Sequence, residues 1–134
     1  MAQLVTSDGV GLHYEEAGSG APLVMIPGWS QTAAQFEPQL RGLSDRRRVI
    51  ALDMRGHGRS EKPAHGYRIS RLAKDLHDVL EALELDKVSL LGHSMGVSVI
   101  WCYLDTFGSE RVAKLVHADQ MAALTANPAW SDNE

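Results

Sequence analysis

The sequence has 134 residues, with 13 Lys and Arg against 17 Asp and Glu and a formal net charge of −4. Such a length indicates one domain burying roughly 65–70% of its unfolded surface, and 44% hydrophobic against 22% charged residues excludes wholesale disorder. The acidic balance argues against nucleic acid as the main partner, no apolar run approaches the roughly 18 residues of a membrane span, and a single cysteine, Cys102, excludes an internal disulfide or a Cys-rich zinc site.

The first six residues lack a basic start followed by an apolar stretch, so no secretory signal is expected and the expected location is cytoplasmic. Residues 3–6 and 12–16 read as short strands around the turn Ser7-Asp8-Gly9. Leu23-Val24-Met25-Ile26, Val49-Ile50-Ala51-Leu52 and Val88-Ser89-Leu90-Leu91 are largely apolar runs, the pattern of strands covered on both faces. Residues 114–118 are less apolar and predict a strand nearer an edge. Between them, residues 38–44 predict a short helix with Pro38 in its first turn. Ile69, Leu72, Ala73, Leu76, Val79, Leu80 and Leu83 recur at three- and four-residue steps, the mark of a surface helix. Met95 to Phe107 is apolar nearly throughout, predicting a helix buried almost all round. Strand–helix alternation implies an α/β fold with a mostly parallel sheet and flanking helices. At the C-terminus, Ser131-Asp132-Asn133-Glu134 has the form of a capping box opening a helix that the sequence does not contain. The chain therefore reads as stopping in mid-fold, like the front half of a longer protein, against the alternative of a frayed polar terminus.

The strongest chemical signal is Gly92-His93-Ser94-Met95-Gly96, a Gly-x-Ser-x-Gly between a buried strand and a buried helix. A serine there occupies a strained turn whose flanking glycines, Gly92 and Gly96, must be small. The turn lifts the hydroxyl clear of the sheet and aims the Met95 amide at a developing oxyanion. By composition alone the pattern arises in about 4 of 100 chains this long, so its strand-to-helix placement is what makes it specific.

Together with Ile26-Pro27-Gly28-Trp29 and Asp53-Met54-Arg55-Gly56-His57-Gly58-Arg59-Ser60, in that order and spacing, this elbow resembles the α/β-hydrolase family. The resemblance runs through nearly all of residues 1–134. It implies a partial core domain supplying about the first six strands of an eight-stranded sheet, without the cap and C-terminal strands. It implies Ser94 as nucleophile, the backbone amides of Trp29 and Met95 as the oxyanion hole, and no cofactor. Pro27 departs from the His-Gly usual in the family's oxyanion loop. The expected partner is a small-molecule acyl substrate, with neither nucleic acid nor membrane.

The family's base is a histidine near its C-terminus, and no residue here matches that position. Asp119, after the last predicted strand, is a candidate acid in the family's less common arrangement; otherwise it is a strand-end residue bonding to a turn. His93 is expected to point away from the hydroxyl, His57 to shape its Gly-rich turn, His13, His65 and His77 to lie at the surface, and His117 to be packed. None pairs at a metal-ligand spacing. Three readings follow: a serine hydrolase acting on carboxylic esters; an incomplete fragment or scaffold needing a second chain or self-association through an exposed sheet edge; or other chemistry on the same fold. Of the last group, haloalkane dehalogenases and epoxide hydrolases normally use Asp at the elbow, which Ser94 argues against. Perhydrolases keep the serine, and cofactor-free dioxygenases share the Pro-Gly-Trp loop.

Overall fold

The computed structural model describes residues 2–118, so Asp119 and the Ser131–Glu134 capping box lie outside the described residues. Strands β1 (Ala2–Val5), β2 (Gly11–Ala17), β3 (Ala21–Ile26), β4 (Arg47–Leu52), β5 (Val88–His93) and β6 (Val112–Ala118) form one sheet in the order β1-β2-β4-β3-β5-β6. The β1–β2 and β2–β4 pairs are antiparallel, and β4, β3, β5 and β6 run parallel. Helices α1 (Glu37–Leu43), α2 (Ile69–Ala82) and α3 (Met95–Phe107) connect them, with a 3-10 turn, Ala33–Phe36, ahead of α1.

The apolar runs divide by side-chain alternation between two faces. Val24, Ile26, Ile50, Leu52, Val88 and Leu90 point to the side covered by α2 and α3, where Leu72, Leu76, Val79, Leu80, Val99, Ile100 and Tyr103 complete the core. Leu23, Met25, Val49 and Ala51 point the other way, onto Ala33 and Phe36, with Leu40 and Leu43 of α1 packed alongside. Two-sided cover is why these strands carry no polar alternation.

Four details differ from the sequence expectation. Helix α3 is not buried all round: Gly96, Val97, Val99, Ile100 and Tyr103 face inward, while Trp101 is 41% exposed. The exposed residues of the helix are Trp101, Asp105 and Thr106, while Cys102, Leu104 and Phe107 pack against the core. His117 is exposed rather than packed, because β6 is an edge strand among the described residues, though its ring lies 5.2 Å from that of Trp101. His13 is buried, at 1% exposure, because it lies on the β2 face turned to the Asp53 carboxylate, 2.9 Å from Nδ1. His77 is partly covered, its ring stacked 4.2 Å from Phe107 of α3. Only His65 of that group is exposed as expected.

Buried charge ties the loops to this frame. The fully buried Arg55 guanidinium binds Asp75 of α2 in a bidentate pair, 2.6 and 2.7 Å, and reaches Asp8 in the β1–β2 turn at 2.9 Å. Arg71 joins Asp75 and Asp78 from the same helix. The segment after β4 is thereby clamped to both α2 and the first hairpin.

Candidate active site

Ser94 stands between the last residue of β5 and the first of α3, with φ 54° and ψ −118°. That left-handed φ is forced, because the chain reverses from strand to helix without an intervening loop. Its backbone is held from two sides: the amide donates to the Ala118 carbonyl of β6 at 3.0 Å, and its carbonyl accepts from Val97 at 3.0 Å. The flanking glycines permit the turn. A Cβ on Gly96 would come within 2.2 Å of the Ile26 carbonyl oxygen, and one on Gly92 within 2.7 Å of Gly96 and Val97 backbone. Ser94 is the N-cap residue of α3, yet its side chain makes no cap hydrogen bond. The residue is only partly exposed.

The loop after β3 comes down onto this turn. A Cβ placed on Gly28 would lie 2.8 Å from Gln31 Oε1, 3.0 Å from Ser94 Cβ and 3.2 Å from the His93 carbonyl oxygen, so a side chain there would crowd the approach of the two backbones. Gln31 secures the approach. Its Oε1 accepts from the Gly28 amide at 3.1 Å and from His93 Nδ1 at 2.8 Å, while its own amide donates to the Gly28 carbonyl at 3.1 Å. His93 is thus committed to Gln31 rather than to the serine. Trp29, next to Gly28, is 58% exposed, with its ring edge-on to His57 at 4.9 Å. Met95 opens α3, where the unpaired amides and the helix dipole favour negative charge.

The segment Asp53–Ser60 braces the loop from behind. The Asp53 carboxylate is buried and accepts from the Ala33 amide at 2.7 Å, the Arg59 amide at 3.0 Å and His13 Nδ1 at 2.9 Å. Ser60 donates to the Asp53 carbonyl and accepts from the His13 amide at 2.8 Å. His57 Nδ1 lies 2.9 Å from the Arg55 carbonyl oxygen, and Nε2 lies 2.9 Å from the Ser30 nitrogen. His57 therefore shapes the loop, as its Gly-rich setting suggests.

The structure brings Ser94, Gly92, Gly96, Met95 and the Gly28-Trp29 loop into one cluster. Asp119 follows directly on Ala118, whose carbonyl binds the Ser94 amide, but lies outside the described residues. Sequence reasoning missed Gln31 and the burial of His13. A glutamine three residues after a glycine carries no distinctive signal, and His13 reads as polar alternation in a strand. Among the described residues no group of three or more His, Cys, Asp and Glu side chains could hold a metal ion, and no helix is long and apolar enough to cross a membrane.

Comparison with known proteins agrees with this fold. The family model described as alpha/beta hydrolase fold matches residues 21–134. A non-heme chloroperoxidase of Kitasatospora aureofaciens is 38% identical over 112 residues, covering 83% of this chain and 41% of that protein. A soluble epoxide hydrolase of Corynebacterium sp. is 38% identical over 96 residues, covering 72% of this chain and 34% of that protein. Among solved structures, the esterase EaEST of Exiguobacterium antarcticum superposes with a TM-score of 0.87 at 38% identity, covering 89% of this chain and 45% of the esterase. The chain thus spans less than half the length of these relatives.

Proposed function

The chain belongs to the alpha/beta hydrolase fold family, and on that premise we propose that it carries the nucleophile and oxyanion hole of a serine hydrolase acting on small carboxylic esters or related acyl compounds. The observation that carries this reading is the Ser94 hydroxyl: a serine at a helix N-terminus that does not cap, held in a strained turn beside the Gly28-Trp29 loop. Ser94 Oγ attacks the acyl carbonyl as its proton passes to an imidazole. The amides of Trp29 and Met95 receive the oxyanion, each such donor supplying about 10²–10³ in rate. The acyl–oxygen bond then breaks, the alcohol leaves with the proton, and water releases the acid from the acyl-serine.

All six histidines of the sequence lie within the described residues, and none is hydrogen-bonded to Ser94. The reading therefore requires a base from beyond these 134 residues, in chain that extends further or in a partner, with Asp119 a candidate for its acid. The esterase relative supports ester substrates. Epoxide opening fits less well, since the ester intermediate of that chemistry needs a carboxylate where Ser94 stands. The test is hydrolysis of p-nitrophenyl esters of graded acyl length by the protein at its natural length. Activity falling by at least about 10³ in Ser94→Ala is the expected result, and unchanged hydrolysis contradicts it.

The chloroperoxidase relative favours one second reading, a perhydrolase. There hydrogen peroxide, in place of water, resolves the acyl-serine, giving a peracid and free serine. Peroxide-dependent halide oxidation that needs both a carboxylate donor and Ser94 distinguishes it.

A further inference from the structure

His57 is a buried imidazole, 8% exposed, with both ring nitrogens engaged by backbone. The Arg55 carbonyl oxygen can only accept, so Nδ1, 2.9 Å away, must carry a proton and donate it. The Ser30 N–H can only donate, so Nε2, 2.9 Å away, must present its lone pair. One state of the ring meets both demands: the neutral Nδ1–H tautomer. The amide it receives is unusual, because Ser30 has φ 64°, left-handed backbone that a side-chain-bearing residue seldom adopts. Ser30 directly follows Trp29, whose ring packs edge-on against His57 at 4.9 Å and toward Tyr67 at 6.4 Å. Tyr67 is itself fastened by its hydroxyl to the Pro63 carbonyl at 2.5 Å.

We propose that His57 is a positioning residue for the loop carrying the Trp29 amide, acting as a fixed relay from the Arg55 carbonyl to the Ser30 N–H. The relay transmits a rigid anchor, because the Arg55 side chain is locked by Asp75 and Asp8. Gln31 and the Ala33–Asp53 bond fix the far end of the same loop. His57 thus fixes the Trp29–Ser30 peptide through the Ser30 N–H, and the Gln31 backbone amide holds the preceding Gly28–Trp29 peptide, which carries the Trp29 N–H, by its Gly28 carbonyl at 3.1 Å. The consequence for catalysis rests on the reading of Ser94 and the Trp29 amide given above; the geometry of the relay does not.

The test uses ¹⁵N-labelled protein at neutral pH. Long-range ¹H–¹⁵N spectra of the histidine rings are expected to show His57 protonated at Nδ1 alone. His57→Phe, which keeps a ring without an acceptor, is expected to speed exchange of the Ser30 amide on the order of tenfold. His57→Gln, which keeps an acceptor oxygen near Nε2 and a donor, is expected to restore protection. Fluorophosphonate labelling of Ser94 should slow on the order of 10² in the Phe variant and recover in the Gln variant. A ring protonated at Nε2, or Ser30 exchange equally slow in the Phe variant, overturns the relay. Failure of the unsubstituted protein to label overturns the nucleophile reading alone, because the tautomer and the Ser30 exchange decide the relay by themselves.

Discussion

At the N-terminus of a helix a serine ordinarily accepts from the amide two or three residues on, which stabilises by about 1 kcal/mol. Ser94 forgoes that bond and also occupies a left-handed φ of 54°, so its residue type is unfavourable to folding on two counts. Ser94→Gly is accordingly expected to stabilise the fold by about 1 kcal/mol, because glycine adopts this backbone freely. Ser94→Ala keeps the strain and should leave stability nearly unchanged. Urea midpoints of the two variants check this, and equal stability in both would show that the turn is unstrained. Arg55 poses the opposite case. Replacing it alone by Met leaves the buried Asp75 carboxylate without its bidentate partner and is expected to cost about 3–5 kcal/mol. The paired change Arg55→Met with Asp75→Leu should recover much of that loss, measured by the same unfolding curves.

Strands and helices were the most legible part of the sequence. The runs at 23–26, 49–52 and 88–91 lie within β3, β4 and β5, and the three- and four-residue period from Ile69 gives α2, because a two-sided sheet and a one-sided helix leave different apolar spacings. The site was legible where backbone geometry limits residue choice. Gly92 and Gly96 mark the elbow since a Cβ at either collides with fixed backbone. What the sequence left unread depends on tertiary partners. His13 gives no local hint that Asp53, forty positions away, buries it, and Gln31 acquires its role only when β3 and β5 lie side by side. The apolar content of α3 overstated its burial, because composition does not say whether an element lies over Trp101. At this scale Gly96→Ala is the decisive change. Its methyl would press on the Ile26 carbonyl at the β3–α3 contact, with an expected cost of about 3 kcal/mol in thermal or urea unfolding.

Across the whole molecule, charge links the first hairpin to α2. The Arg55 guanidinium beside Asp8 holds its carboxyl well below the usual carboxylate range, outweighing the opposing effect of desolvation. For Asp78 burial opposes ionisation, but the Lys74 ammonium and the Ser7 donors outweigh it and lower its value too. Lowered folded-state values mean that the unfolded chain takes up protons first. The stabilisation is therefore complete above about pH 4 and is lost as pH falls through the depressed values. Asp8→Asn is expected to lower stability at pH 7 and to flatten the decline below pH 4, read from urea midpoints at pH 7, 4 and 3. The opposite edge of the sheet gives a second expectation. Strand β6 is unpaired on its outer side among the described residues, with Leu115 and Val116 37% and 48% exposed. The isolated 134-residue chain should associate with rising concentration in light scattering, and a monomer throughout would speak against an open edge.

The central claim is that Ser94 is an activated nucleophile, and intact-mass spectrometry after treatment with a fluorophosphonate probe tests it most directly. At its natural length the protein is expected to gain one adduct, absent from Ser94→Ala. No adduct on the folded protein, or an adduct that persists in Ser94→Ala, would contradict the account.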